Sequence, residues 1–481
     1  MKGYLKKLAA LLLCVSLLCA VLTACGGNQN TAVNTEDDMS KEVTLTWYIM
    51  ASEPSGSAEV LAEVNKYLKE KINAKLDLKF VQPGDYKQKM QMVMAANEEY
   101  DLVWTAQGNN DYPTNVANGA YLELDQLLEK TPKLKTLFSD DMWDATRING
   151  QIYGVPMNQV MYEQRGMWFK KDIVEKYNLP VREIKSLDDL TQIYQTVKDS
   201  EPNVIPIRGG TVDQFDTRDE TFVQGFYINK DGKVFDKDEN NMDNYKIMRD
   251  WYQKGFFPAD VATMTDEASV IRAGKIFSRY NRSLPGVEAK FHLQYPFEII
   301  QVSTCEPALT RAGIQGTMTA VSYNSKNPVR ALKLLELMQT DKYLFNLMAY
   351  GIEGRDYHML DDTHAERESG SYYVAEYLIG NQFLAYIMPG YEDTVWEETE
   401  KANMEAPVDP NISFSFDPRP VESEISQLSA VSKEFSGILS NGLDDPEKIL
   451  PQYLEKKDTA GKQKVMDEIQ KQYDEWKKGN K

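Results

Sequence analysis

The sequence predicts an α/β chain: a sheet covered by helices on both faces. Three observations carry this. Short segments that alternate apolar and polar residues interleave with stretches of helical periodicity. Apolar residues make up 42% of the 481 and charged residues 26%, the balance of a packed globular chain with room for two or three domains. No window after the first two dozen residues holds 18 consecutive apolar positions, and no repeat of 20–50 residues is present.

The elements follow in order. Val43 to Ile49 alternates as a strand, and Glu53-Pro-Ser-Gly56 turns the chain. Residues 57–72 place Val60, Leu61, Val64, Leu68 and Ile72 at helical spacing, with Ser57 as the expected N-cap. Leu76, Leu78 and Phe80 make a second strand, Asp85 caps a helix over 86–97, and Asp101 to Thr105 is a third strand. Gln151 to Pro156 is a short strand ended by proline, and Arg165 to Asp172 is a strand running into a helix. Ser186 and Asp189 form a capping-box pattern, and Asp231-Gly232 marks a hairpin. Helices are expected over 245–254, 328–338 and 341–349, the last ended by Gly351. The tail from Lys448 carries Leu450, Leu454, Val465, Ile469, Tyr473 and Trp476, an amphipathic pattern that docks on the body.

The first 24 residues read as an address. Lys2, Lys6 and Lys7 precede an apolar run from Leu8 to Leu22, too short for a comfortable bilayer span. The ending Leu22-Thr-Ala-Cys25 resembles a bacterial lipobox, which makes Cys25 the lipidated first residue of the mature chain. Residues 26–41 are small, polar and acidic, a flexible tether before a body that starts near Val43. Cys14 and Cys19 leave with the signal, so Cys305 remains as a lone thiol and is read as a packing residue. The precursor charge is −19; loss of three lysines and no acid leaves 51 basic against 73 acidic residues, or −22. Such a surface repels phosphate backbones, so no nucleic-acid partner is expected.

Four stretches resemble a known family. Gly150-Gln-Ile-Tyr-Gly-Val-Pro156 with Phe169-Lys-Lys-Asp172, Ser186-Leu-Asp-Asp-Leu, Gly274-Lys-Ile, and Ser322-Tyr-Asn-Ser-Lys-Asn-Pro328 are similar to signatures of the family 1 extracellular solute-binding proteins. Gly316-Thr-Met-Thr-Ala, Ala349 to Arg355, Gly380-Asn-Gln-Phe383, Phe414-Ser-Phe-Asp-Pro418 and Gln472 to Lys477 resemble the lipoprotein subgroup with a C-terminal domain of unknown function. The resemblance implies a two-lobed, Venus-flytrap periplasmic-binding fold (type II) with interleaved lobes and crossing hinge strands. Lobe 1 would comprise 43–160 and 310–350, and lobe 2 would comprise 161–309 and 351–481, with a segment of unknown role at about 414–481. The crossings are expected near Met157–Gln164 and Gln315–Val321. It further implies a lipid-anchored receptor on the extracytoplasmic face of the cell membrane. That receptor hands a small solute, expected to be an oligosaccharide, to an ABC permease, and works as a monomer without cofactor or metal.

Enzyme signatures are missing. There is no HExxH, GxSxG elbow, Walker A loop or GxGxxG, and the only histidines are His292, His358 and His364. Asp361, Asp362 and His364 read as a solvated loop, as do Asp236, Asp238, Asn240 and Asp243, which lack the Gly and Glu of a calcium loop. Two carboxylates suffice for a glycosidase, so a surface carbohydrate-active enzyme stays as an alternative, and a peptide or amino-acid receptor of the same fold as another.

Sugar rings present apolar faces and a rim of hydroxyls, so a receptor stacks aromatics and surrounds them with polar side chains. Ligands of such folds sit at the carboxyl ends of strands. That rule selects Trp47 and Trp104 at strand ends, Asn110, Asp111 and Tyr112 in the loop after the third strand, and Asn158 and Gln159 at the first crossing. Gln315 lies beside the second crossing, and Asn381 precedes an apolar run of the C-terminal part; the resemblance adds Tyr280 and Asn281, which resemble the cleft-facing end of the element after Gly274, and Trp396, in a helix-like stretch where relatives place a stacking aromatic. Core packing is the competing reading for Trp104, Tyr112 and Trp396.

Overall fold

The computed structural model describes residues 36–210, 212, 220–264 and 266–479, so the lipidation expected at Cys25 lies outside the described residues. Two main sheets contain, in chain order, β1 (Val43–Met50), β2 (Ala74–Val81), β3 (Leu102–Thr105), β4 (Gly154–Pro156), β5 (Arg165–Lys170), β6 (Ile205–Ile207), β7 (Ile276–Arg282), β8 (Ile299–Ser303) and β9 (Met318–Val321). The helices that matter below are α1 (Ser57–Ile72), α2 (Leu187–Ser200), α3 (Met242–Gln253), α4 (Pro328–Thr340), α5 (Lys342–Tyr350), α6 (Val395–Glu405), α7 (Glu422–Ser440), α8 (Pro446–Thr459) and α9 (Lys462–Gly479).

The first sheet has the order β2-β1-β3-β9-β4. β1 runs parallel to β2 and β3, while β9 returns antiparallel between β3 and β4. β1 and β3 are buried strands rich in apolar residues, as a sheet covered on both faces requires. α1 packs on it with the predicted stripe, Val60, Val64, Leu68 and Ile72. Its N-cap is Gly56 in the left-handed region, not Ser57; Ser57 is already helical and donates to Glu53 Oε1 at 2.6 Å. Asp85 precedes its helix but makes no side-chain cap bond, and that helix ends at Ala95.

The second sheet has the order β8-β5-β7-β6, with β5 antiparallel to both neighbours and β7 parallel to β6. Its core joins Phe169 and Phe277 of the sheet to Leu190, Tyr194 and Val197 of α2 and Trp251 of α3. The α2 capping box forms as read: Ser186 Oγ accepts from Asp189 N at 3.2 Å, and Lys185 N donates to Asp189 Oδ2 at 3.0 Å. Such a cap adds roughly 1 kcal/mol.

Three segments link the sheets. Tyr162–Glu163 pairs antiparallel with Ala308–Leu309, and Leu309 is bracketed by Pro407 O and Asp409 N on its other side, at 2.8 and 2.9 Å. The second crossing therefore precedes the expected Gln315–Val321, which already belongs to the first sheet. A third crossing at 407–409 was not legible in the sequence.

The third crossing explains a second difference. Residues 351–405 were expected with the second sheet, but they pack on helices of the first. Asn381 N donates to Met338 O, Tyr386 N to Asn346 Oδ1, and Arg355 forms a 4.0 Å ion pair with Glu59 of α1. Beyond 409 the chain does lie with the second sheet's side. Phe414, Val465, Ile469 and Tyr473 bury Val223, Phe226 and Ile228 of a hairpin, and Leu450 and Tyr453 meet Tyr245 of α3. The predicted tail is two helices, α8 and α9, and α7 precedes them.

Candidate functional site

The strand directions put the carboxyl ends of β1 to β4 and the amino end of β9 on one edge of the first sheet. Ser52 Oγ donates to Gln82 Oε1 at 2.6 Å across the ends of β1 and β2. Asn109 Nδ2 reaches Met50 Sδ at 3.0 Å, and Gln107 N donates to Gln315 O at 2.9 Å. Ser52, Gln82 and Gln107 are exposed, so this edge is open and polar. The matching edge of the second sheet holds Arg208, Gly209 and Gly210 after β6, Tyr280 to Arg282 at the end of β7, and Ser303 at the end of β8. Glu267 bridges Arg208 Nε at 3.3 Å and Arg279 Nε at 3.2 Å, and Arg282 Nη2 donates to Tyr162 O in the first crossing.

Many of the residues chosen from sequence build this edge from beneath. Trp47 is fully buried, paired in register with Leu78 and Leu102. Trp104 is buried and donates from Nε1 to Thr317 Oγ1 at 2.7 Å. Tyr112 is fully buried; its hydroxyl donates to Thr146 O at 2.7 Å and accepts from Tyr153 N at 3.1 Å. Burial pushes the Tyr112 hydroxyl far above the usual phenol range. Asp111 caps the next helix, accepting from Thr114 N and Gly108 N. Asn110, in the left-handed region at φ 48°, donates to Trp104 O and accepts from Asn115 Nδ2. Gln315 is buried and donates to Ala145 O at 2.7 Å; Asn381 is buried and donates to Gln339 O. Trp47 and Trp104 turn inward into the packing, and the polar groups of Asn110, Asp111, Tyr112, Gln315 and Asn381 satisfy backbone groups.

The others remain accessible or lie against the crossings. Gln159 is half-buried, and its carbonyl accepts from Asn403 Nδ2 at 2.6 Å; Asn158 is buried and its carbonyl accepts from Gln382 N at 2.8 Å. Tyr280 is half-buried and Asn281 exposed, both on the open edge of the second sheet. Trp396 is half-buried, donates to Ala385 O at 3.0 Å, and stacks on Tyr391 with centroids 6.2 Å apart.

Trp396 belongs to a cluster that sequence reasoning missed. Glu376 accepts from the Tyr350 hydroxyl at 2.7 Å and the Tyr373 hydroxyl at 2.9 Å. Tyr373 and Tyr377 are 37% and 44% exposed, and Arg367 lies 4.0 Å over the Tyr373 ring. Burial and the Glu376 charge push the Tyr391 hydroxyl up to about 12. Thr317 Oγ1 donates to Tyr377 O at 3.1 Å, which pins the cluster beside the carboxyl end of β3. At its other side Tyr391 packs on Gly286, just past β7, where an added Cβ would come within 2.9 Å of the ring. The wall of Tyr373, Tyr377, Tyr391 and Trp396 around Glu376 thus reaches from one open edge toward the other. The signal was the aromatic density of residues 372–396, spread across a segment expected with the second sheet but packed on helices of the first.

His364 is held by Asp361 at 2.9 Å and Asp393 at 3.1 Å. Among the described residues no group of three or more His, Cys, Asp or Glu is arranged to hold a metal ion. Cys305 is buried and free, with Arg165 N donating to its Sγ at 3.2 Å. No helix among the described residues is long and apolar enough to cross a membrane.

Two sheets with open edges facing a set of crossings are the frame of a solute receptor, and residues 51–344 match the family of bacterial extracellular solute-binding proteins. The chain belongs to that family. Residues 410–478 match a domain of unknown function, DUF3502, which is the region docked on the separate hairpin sheet that carries Val223, Phe226 and Ile228. The chain is 28% identical to a carbohydrate ABC transporter substrate-binding protein of Streptococcus pneumoniae serotype 4, over 99% of both chains. It is also similar to the crystal structure of the N-glycan transport solute binding protein NgtS of Streptococcus pneumoniae. There the identity is 26%, the TM-score 0.82, and the coverage 91% of this chain and 100% of that one. Against NgtS in complex with Man1GlcNAc the TM-score is 0.74, over 90% and 99% of the two chains. These likenesses bear out the two-lobed α/β fold and the family resemblance seen in the sequence.

Proposed function

We propose that this protein is the receptor of an ABC importer and captures an oligosaccharide between its two sheets. The observation that carries the reading is the wall of Tyr373, Tyr377, Tyr391 and Trp396 around Glu376, set at the open strand ends. The exposed part of Tyr377, and the accessible rims of the stacked rings beside it, suit the C–H faces of pyranoses, while Glu376, Arg367, Gln107 and Asn281 supply donors and acceptors for hydroxyls. The full-length likeness to a carbohydrate transporter component supports it, and so does the NgtS relation.

The lobes are 43–157 with 311–405, and 165–303 with 411–479, hinged at the three crossings. The closed form docks the permease through the outer faces of both lobes. Cys25 carries the lipid that holds the receptor on the extracytoplasmic face. Within the described residues the tether's end is fastened by Arg330, whose guanidinium donates to Asp37 at 2.8 Å and to Ile72 O at 2.7 Å. The protein binds and releases its solute unchanged, as a monomer.

Calorimetric titration of residues 26–481 with mannosyl–GlcNAc oligosaccharides, other oligosaccharides and peptides tests the reading. Saturable heat with an oligosaccharide, and unchanged sugar recovered afterwards, is expected. Tight binding of a peptide with no response to any sugar overturns the ligand class, and release of cleaved sugar overturns the receptor.

A further inference from the structure

Asp236, Asp238, Asn240 and Asp243 begin with the spacing of a calcium loop and then depart from it. A working loop needs a glycine at its sixth position and a bidentate glutamate at its twelfth; here those are Asn241 and Ile247. The backbone forms a short 3-10 turn, Lys237–Asn240, and runs straight into α3. The residues therefore do not make a complete calcium loop.

They do hold a cation. Lys457, reaching in from α8, puts its ammonium 2.6 Å from Asp236 Oδ2 and 2.9 Å from Asp238 Oδ2. The Lys457 side chain is 6% exposed and that of Asp236 1%. The other carboxylate oxygens are engaged: Asp236 Oδ1 accepts from Asp238 N at 3.1 Å, and Asp238 Oδ1 from the Tyr245 hydroxyl at 2.6 Å. The rings of Phe226 and Tyr453 lie 5.5 and 5.1 Å from the ammonium. Alongside, Lys462 bonds Glu239 at 2.6 Å.

A carboxylate as buried as Asp236 does not stay ionised beside Asp238, itself 25% exposed, without a positive charge between them. A divalent ion takes six to eight oxygens, and the ammonium already covers the two it would need first. An ion added beside it would face a buried like charge. The lysine comes from the C-terminal region and the acids from the segment between the hairpin that carries Val223, Phe226 and Ile228 and α3, so the charge contact is also a docking contact.

We propose that Lys457 is a tethered cation: its ammonium takes the place of a divalent ion at a degenerate calcium loop and locks residues 410–479 onto the second lobe. Docking of the C-terminal region then needs no extracellular calcium. Removing the ammonium uncovers a weak divalent-cation site in the same carboxylates.

Thermal melts of the full mature chain in EDTA and in millimolar calcium test this. The wild-type protein melts at the same temperature in both. Lys457→Ala melts lower in EDTA by at least about 5 °C. Calcium restores that loss with a midpoint on the order of 10⁻⁴–10⁻³ M, and adding Asp236→Asn erases the rescue. If K457A does not fold in EDTA, recovery of folded protein only when calcium is present gives the same support. The proposal fails if calcium stabilises the wild-type protein and D236N removes that effect. It also fails if K457A is destabilised with no calcium response. Failure of K457A to fold with or without calcium, while D236N/D238N/K457M folds, likewise reduces the contact to plain charge neutralisation and overturns the proposal.

Discussion

Tyr377→Ala isolates the claim that exposed rings at the strand ends hold sugar. The Tyr377 ring is 44% exposed, and its backbone is pinned by Thr317, so truncation leaves the local chain in place. A tyrosine buries about 150–250 Å² when fully covered, so a ligand can cover about 90 Å² of this one. At about 25 cal/mol per Å² that is about 2 kcal/mol. A single sugar covers one face, which lowers the figure, and stacking adds about 0.5–1.5 kcal/mol, which restores it. The expected loss is therefore about 2 kcal/mol, or roughly 30-fold in Kd. Tyr323 is the control: it is 56% exposed, but it follows β9 at the opposite edge of the same sheet. Calorimetric titration with the best oligosaccharide compares the two. Tyr377→Ala weakens binding and Tyr323→Ala leaves it unchanged. Binding by Tyr377→Ala within twofold of wild type, or equal weakening by both, refutes the assignment of the edge.

Three further outcomes follow from the geometry. Tyr112→Phe strands the Thr146 carbonyl and the Tyr153 amide in the core, so urea unfolding shows about 2 kcal/mol lost while sugar affinity is unchanged. Arg330→Met leaves Asp37 with one fewer cation and takes away the guanidinium donors of the buried Ile72 carbonyl and of Asn73 O, so the midpoint of urea unfolding falls, by about 3 kcal/mol in stability. Burial opposes ionisation of Asp37, yet the Arg330 and Lys333 bonds hold its carboxyl below the usual range. That stability is present above the unfolded carboxylate's pKa and disappears as pH falls through the folded value, so in acid the gap between wild type and Arg330→Met narrows to the part set by the carbonyl bonds. The Asp361 bond first, then the Asp361 and Asp393 charges, raise His364 above the usual imidazole range. Its contribution is complete below the unfolded pKa and is lost as pH rises through the folded one. The difference in melting temperature between wild type and His364→Ala therefore shrinks from pH 5.5 to pH 8.5, and a constant difference contradicts the charge role.

Local pattern carried most of the fold. β1, α1, the Ser186 capping box and the Asp231-Gly232 hairpin stand where periodicity and turn chemistry put them. What failed was non-local. Nothing in the residues 351–405 says that Asn381 will bond Met338 and Gln339, because that choice is made by the third crossing at 407–409. The burial of several candidate site residues was hidden for a related reason. Trp47, Trp104 and Tyr112 lie near strand ends, but which face of a doubly covered sheet a side chain takes does not show in a strand that is apolar on both faces. Tyr280, Asn281 and Trp396 remain accessible because they stand past the ends of packed elements or beside a crossing.

Hydrogen–deuterium exchange, with and without the bound oligosaccharide, addresses the central claim most directly. Protection is expected at residues 50–53, 107–109, 208–210, 279–283 and 373–396, the two open edges and the aromatic wall. Protection confined to residues 91–97, 118–120 and 322–324 at the far edge of the first sheet, or no protection anywhere, contradicts it.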